Sequence, residues 1–140
     1  MSLKMTLDEL RAFIHEAFPQ VADDFEILDV SPMRITVRKL VQDKHLRPGG
    51  TVSGPAMFAL ADVSIYLAIL AMIGPKALAV TTSCSVDFMR KPAAHANLRA
   101  EARLLKLGKV LAVGDVMIYS EGHDAPVARA SMTYSIPPER

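Results

Sequence analysis

The residues best suited to chemistry lie close together in mid-chain: the loop Arg47-Pro48-Gly49-Gly50-Thr51-Val52-Ser53-Gly54-Pro55, and Asp62 in the apolar run that follows. The start of a helix leaves backbone N–H groups without intrahelical acceptors and adds the positive end of the helix dipole. A helix opening near Gly54 would aim the amide of Gly54 or a neighbour at a carbonyl oxygen gaining negative charge, an oxyanion site in outline. Asp62 is a carboxylate flanked by Leu60, Ala61 and Val63, and burying it unpaired would be costly. It therefore faces water or is held by donors; facing the helix start, it would be a general base or a nucleophile. Asp62 follows Gly54 by eight positions, roughly 12 Å along one helix at about 1.5 Å per residue. One chain cannot bring the two to the same atom. The same helix from a second copy, packed antiparallel, sets the start of one against the middle of the other and makes a composite site with twofold symmetry.

Other chemistries lack their residues. There is no C-x-x-C, H-E-x-x-H or G-x-S-x-G, and Gly49-Gly50 is not followed by the Lys-Ser/Thr of a phosphate-cradling loop. Sixteen Lys+Arg against 15 Asp+Glu leave a formal charge of +1, without the excess that nucleic-acid backbones require. Of His15, His45, His95 and His123, only His45 lies near the loop. The single cysteine, Cys84, reads as a buried strand residue with no base beside it in sequence. Met57 and Phe58, beside Gly54, are core filler or the lining of an acyl pocket.

The elements that must position these residues follow from composition and periodicity. With 140 residues, 51% hydrophobic and 22% charged, residues 1–140 make one domain able to bury roughly two-thirds of its unfolded surface. Met1 to Leu10 carry no apolar run of signal-peptide length, so a cytosolic, reducing location is expected. Thr6 and Glu9 have capping-box spacing, and Leu7, Leu10, Ile14, Ala17 and Phe18 share a helical face until Pro19, giving an amphipathic helix within residues 1–20. Strands are expected over Phe25–Val30 and Met33–Arg38, then a polar loop from Gln42 to Gly50. A helix from about Gly54 to Ile73 stops at Gly74-Pro75. It is apolar nearly all round, but Asp62 and Ser64 within it favour a buried helix over a membrane span. Such a helix needs cover from a sheet wrapped around it, or from a sheet on one side and a partner chain on the other. Four further strands, Ala77–Met89, Leu98–Leu107, Val110–Tyr119 and Val127–Ile136, joined by short turns, supply an antiparallel sheet, so the fold class is α+β.

The stretch Gly49 to Ala68, the strand end Asp87-Phe88-Met89-Arg90-Lys91-Pro92, the Gly108-Lys109 turn and the closing Val127 to Ile136 resemble the hotdog-fold acyl-CoA thioesterases of the phenylacetyl-CoA (PaaI-like) group, over about residues 33 to 136. The resemblance implies a curved sheet wrapped around the long helix, and dimers, often paired into tetramers, acting on an acyl-CoA without metal or other cofactor. In that family the helix opens Asn, several residues, His-Gly-Gly, with an acid eight residues after the first Gly. Gly54 matches that Gly and Asp62 the acid, whereas Ser53 stands for the His, Pro55 for the second Gly and Arg47 for the Asn. Pro55 suits a first helical turn and Ser53 a helix cap. Arg47 donates to a water or an acyl carbonyl, or is a salt-bridged loop residue. The family further implies a strand hydroxyl that positions the attacking water, with Thr82 the nearest candidate, Thr81 the alternative, and a plain strand threonine the third reading. Arg90 and Lys91 lie where the family meets the nucleotide and phosphates of coenzyme A, or else form a solvated strand end. The changes at Ser53 and Arg47 leave room for a weakly catalytic acyl-CoA binding or sensing module. A dehydratase of this fold would need a histidine near the long helix, and residues 46–94 contain none.

Overall fold

The computed structural model describes residues 2–75 and 78–138. Helix α1 (Leu7–Ala17) opens on the expected box, in which Thr6 Oγ1 accepts the Glu9 N–H at 3.2 Å and Glu9 Oε1 accepts the Thr6 N–H at 3.0 Å. Helix α1 ends at Ala17, with Phe18 as its C-cap, just before Pro19 as expected, but Pro19 does more than stop it. It starts a second, short helix, α2 (Pro19–Ala22), because a proline fits a first turn whose N–H would have no partner anyway.

Six strands follow the expected order: β1 (Phe25–Ser31), β2 (Arg34–Lys39), β3 (Val80–Phe88), β4 (Leu98–Leu107), β5 (Leu111–Ser120) and β6 (Ala128–Ser135). They form one antiparallel sheet in the order β1-β2-β4-β5-β6-β3. Ala77, where the third strand was expected to start, lies outside the described residues, and β3 begins at Val80. Between β2 and β3 runs α3 (Gly54–Ile73), laid chiefly over β4, β2 and β5. The pleat alternates accordingly. Ile35, Val37, Leu98, Ala100, Ala102, Val116 and Ile118 are buried, while the outward Arg103 and Arg38 pair with Asp115 at 2.9 Å and Glu26 at 3.0 Å. This is the hotdog arrangement, a long helix held in an antiparallel sheet.

The helix approaches β5 so closely that only glycine fits at one position. A Cβ on Gly114 would stand 2.5 Å from Ile65 Cδ1 and 2.8 Å from the Arg103 carbonyl oxygen. Gly114→Ala is expected to destabilise the fold by about 1–3 kcal/mol, the usual scale of overpacking, seen as a lower denaturation midpoint. A midpoint equal to the wild type's would contradict this contact.

By length and composition α3 would pass for a membrane span, with a mean hydropathy of 2.2, yet 72% of that window is buried inside the fold. Pro55, Phe58, Ala59, Asp62 and Tyr66, which the sheet leaves partly or fully open, recur at helical spacing and form one stripe. The strand beside that open side is β3, an edge strand of nine residues. Its inward residues, by register with β6, are Thr81, Cys84, Val86 and Phe88. Because α3 barely reaches them, Cys84 and Phe88 are exposed, which corrects the expectation of a buried cysteine.

Candidate functional site

The loop entering α3 is a small hairpin. The Ser53 N–H donates to the His45 carbonyl at 2.8 Å, Leu46 bridges Val52, and the Arg47 N–H donates to the Thr51 carbonyl at 2.8 Å. Gly49 and Gly50 turn its tip with φ of 103° and 85°, in the left-handed region that side chains avoid. One arm thus ends directly at the helix cap.

Among the described residues, the first turn of α3 then leaves a single amide without an acceptor. Ser53 Oγ accepts the Ala56 N–H at 3.2 Å, as a cap should, and the Ser53 carbonyl accepts the Met57 N–H at 3.2 Å. Pro55 has no N–H at all. Among the described residues, nothing accepts from the Gly54 N–H. Proline in place of a second glycine therefore concentrates the helix-start field on one donor, where a developing oxyanion would be met.

Around that donor is a cleft of about 380 Å³ that gathers Arg47, Gly54, Met57, Arg90 and Lys91, five of the residues singled out in the sequence, together with Phe88. Arg47 forms no ion pair among the described residues. Arg90 donates through Nη1 to the Pro126 carbonyl at 2.6 Å, which ties the strand end to the turn before β6. Phe58 is exposed on the outer stripe and lines neither this cleft nor the next.

Asp62 lies in a second cleft, also about 380 Å³, with Tyr66, Thr81 and Tyr134 and the α1–α2 corner at Phe18. Its carboxylate is held by two hydroxyls. Tyr134 donates to Oδ1 at 2.7 Å, and Thr81 Oγ1 donates to the same oxygen. Burial, with the Asp62 charge beside it, pushes the Tyr134 hydroxyl far above the usual tyrosine range, so it stays a donor across the working pH range. Thr82, the nearer candidate in sequence, is turned elsewhere, its hydroxyl donating to the Thr133 carbonyl at 3.3 Å. The cause is a β-bulge. Thr81 pairs with Tyr134 and Ser83 with Thr133, so Thr82 is the extra residue and Thr81 keeps the inward position. Tyr134 escaped the sequence reading, although an inward tyrosine on a strand, needing a partner for its hydroxyl, is a signal for such a contact.

Tyr134 also makes a pH prediction. A hydroxyl whose pKa is raised on folding keeps its proton where the unfolded chain, with an ordinary value of 10.0, loses it. Stability is then present below pH 10 and falls as pH rises past it. Tyr134→Phe should flatten that alkaline decline in thermal melts. An unchanged slope would mean that burial and the Asp62 charge do not raise the Tyr134 hydroxyl in the folded chain.

The two clefts share no described residue and meet α3 eight positions apart, at Gly54 and at Asp62. A larger cleft, about 930 Å³, lies at the other end of α3 around Ile73, Lys109 and Ile136. Among the described residues it is lined by Ser2 and two lysines, with no acid, histidine or cysteine. Lys109 belongs to it and not to the helix start.

Residues 49–127 match the model of the thioesterase superfamily. No protein of curated function matches the sequence. Among solved structures, a candidate thioesterase from Silicibacter sp. TM1040 is 58% identical, with 99% of this chain and 96% of that one covered and a TM-score of 0.93. A single-substitution variant of the phenylacetic acid degradation protein PaaI from Thermus thermophilus is 31% identical over 85% of this chain and 99% of its own, with a TM-score of 0.73. A Streptococcus mutans protein bound to acetyl-CoA shares the fold at 24% identity, covering 83% and 90% with a TM-score of 0.72.

Proposed function

Because this chain belongs to the thioesterase superfamily, we propose that it hydrolyses an acyl-CoA thioester to a free acid and coenzyme A, at a site completed by two copies of the chain. The observation that carries the proposal is the separation of two half-sites on one helix: an amide at Gly54 with no acceptor among the described residues, and a carboxylate aligned by hydroxyls at Asp62. Each lacks what the other offers.

The exposed edge of β3 supports the pairing. Nine residues of unpaired strand edge, with Val80 55% and Phe88 54% exposed beside it, are a template for a second copy of the same strand. Twofold pairing there would run the sheet on into the partner and set the open stripe of each α3 against its twin, so that Asp62 of one meets the Gly54 cleft of the other.

The thioester carbonyl oxygen would accept from the Gly54 N–H. Asp62 would take a proton from water as it attacks, or would itself attack to form an anhydride that water then opens. Either route expels the coenzyme A thiolate, and Thr81 and Tyr134 keep the carboxylate aimed. The cleft volume and Met57 suit part of an acyl group, while Arg90 and Lys91 at the rim suit the anionic end of coenzyme A. The acetyl-CoA held by the Streptococcus mutans protein fits the same reading of the fold.

A thiol-release assay over short, long and aryl acyl-CoA esters tests this. Saturable release of free thiol is expected with at least one of them. Saturable binding of the esters with no thiol released would leave a binding or sensing module in its place.

A further inference from the structure

The hairpin that presents Gly54 is anchored on a histidine outside both clefts. His45 ends a single 3-10 turn (Asp43–His45) and is only 8% exposed. Its ring nitrogen Nδ1 accepts the Gln42 N–H at 2.9 Å, and its own N–H donates to the Gln42 carbonyl at 2.9 Å, so side chain and backbone close the turn from both sides. Its carbonyl accepts the Ser53 N–H at 2.8 Å, and Ser53 is the residue whose peptide bears the Gly54 amide. One imidazole therefore fixes one arm of the hairpin, and that arm fixes the cap.

We propose that His45 is a positioning residue for the Gly54 amide, and that it works only as the neutral imidazole. An imidazolium has two N–H donors and no acceptor, so protonation would take from the Gln42 N–H its partner and set two donors against each other. The turn would open, and the Ser53 contact would loosen with it. This rests on the hydrolytic reading above, since it concerns the donor that reading uses.

The surroundings hold the ring neutral. Asp24, before β1, lies with Oδ2 3.7 Å from His45 Nε2, but its other oxygen is paired with Lys44 at 3.0 Å. Lys39, at the end of β2, is buried with its ammonium 4.3 Å over the Phe25 ring. Burial first, then the charges of Lys39 and Lys44, lower the imidazole pKa against the opposing pull of Asp24. Burial alone would raise Asp24, yet Lys44, Lys39 and His45 hold it below its ordinary value. Between the lowered value and the free value of 6.5, the unfolded chain binds a proton that the folded chain refuses, so stability falls as pH drops through that window.

The test pairs two variants of the full chain. His45→Asn places a non-titrating acceptor, Oδ1, where Nδ1 stood, and His45→Ala removes it. In wild type, the Gly54 amide cross-peak in 1H–15N spectra is expected to move with the titration of the His45 ring, and in His45→Asn to stay fixed over the same pH range. On the best acyl-CoA of the panel, His45→Ala should lose roughly tenfold to a hundredfold in kcat with KM little changed, and His45→Asn should recover most of it. A Gly54 amide indifferent to His45, or a folded His45→Ala within twofold of wild-type kcat, overturns the proposal. If His45→Ala does not fold, the wild-type and Asn spectra decide alone. They need no turnover, so a wild-type chain that hydrolyses nothing would count against the hydrolytic reading without touching this one.

Discussion

Asp62→Asn is expected to lower turnover of acyl-CoA by roughly a hundredfold or more while the melting temperature stays near that of wild type. The two halves of that expectation have separate causes. Asparagine matches aspartate in shape, and its Oδ1 still accepts from Tyr134 and Thr81, so the contacts that seat the side chain survive. What disappears is the anionic oxygen, and with it both the base that deprotonates water and the nucleophile that could replace it. The loss should fall on kcat, because the carboxylate acts on the reacting atoms. Turnover within a few-fold of wild type, in a folded variant, would falsify the role assigned to Asp62.

Gly54→Pro is expected to cost about a hundredfold to a thousandfold in kcat, the scale of losing one oxyanion donor. The backbone can take this substitution. Ser53 is extended, with φ −72° and ψ 155°, as a residue before proline must be, and Gly54 is not among the glycines with positive φ. Proline is also at home in the first turn of a helix. A new Cβ would lie 3.2 Å from Phe88 Cζ, the tip of an exposed ring that can give way. Gly54→Ala carries the same Cβ and keeps the N–H, so it should remain within several-fold of wild type. The gap between the two variants measures the amide alone.

Mixing the two inactive variants tests the composite site itself. In a dimer of one Asp62→Asn and one Gly54→Pro chain, one site has both defects and the other has neither. Random reassociation makes about half the dimers mixed, each with one intact site of two, so roughly a quarter of wild-type activity should return. Activity no higher than that of the separate variants would place both groups in one chain's site, or in none.

Much of this protein was legible from its residues. The capping box at Thr6, the stop at Gly74-Pro75, the alternation in β4 and the long, mostly apolar run of α3 are local signals, and α3 spans Gly54–Ile73 as its composition implied. The pairing of Gly54 and Asp62 as candidates was equally local, because the helical rise turns sequence separation into distance. Strand β3 was less legible. Its run of Thr, Thr, Ser, Cys and Ser is of one polarity on both faces, so alternation could not say which residues look inward.

The tertiary structure alone decided that. The bulge at Thr82 is an accommodation between β3 and β6, set by the register of two strands far apart in the chain, and it hands Asp62 the hydroxyl of Thr81 and the phenol of Tyr134. It also decided that Cys84 is exposed, since burial depends on how far α3 reaches across the sheet and not on the type of residue in the strand. His45 was read from the sequence as the histidine nearest the loop, but its contacts with Gln42, Ser53 and Asp24 exist only because the 3-10 turn and the hairpin bring them together. Periodicity and capping are properties of neighbours along the chain. The partners of a buried polar group are set by packing across it, and that is where the folded molecule supplied what the sequence could not.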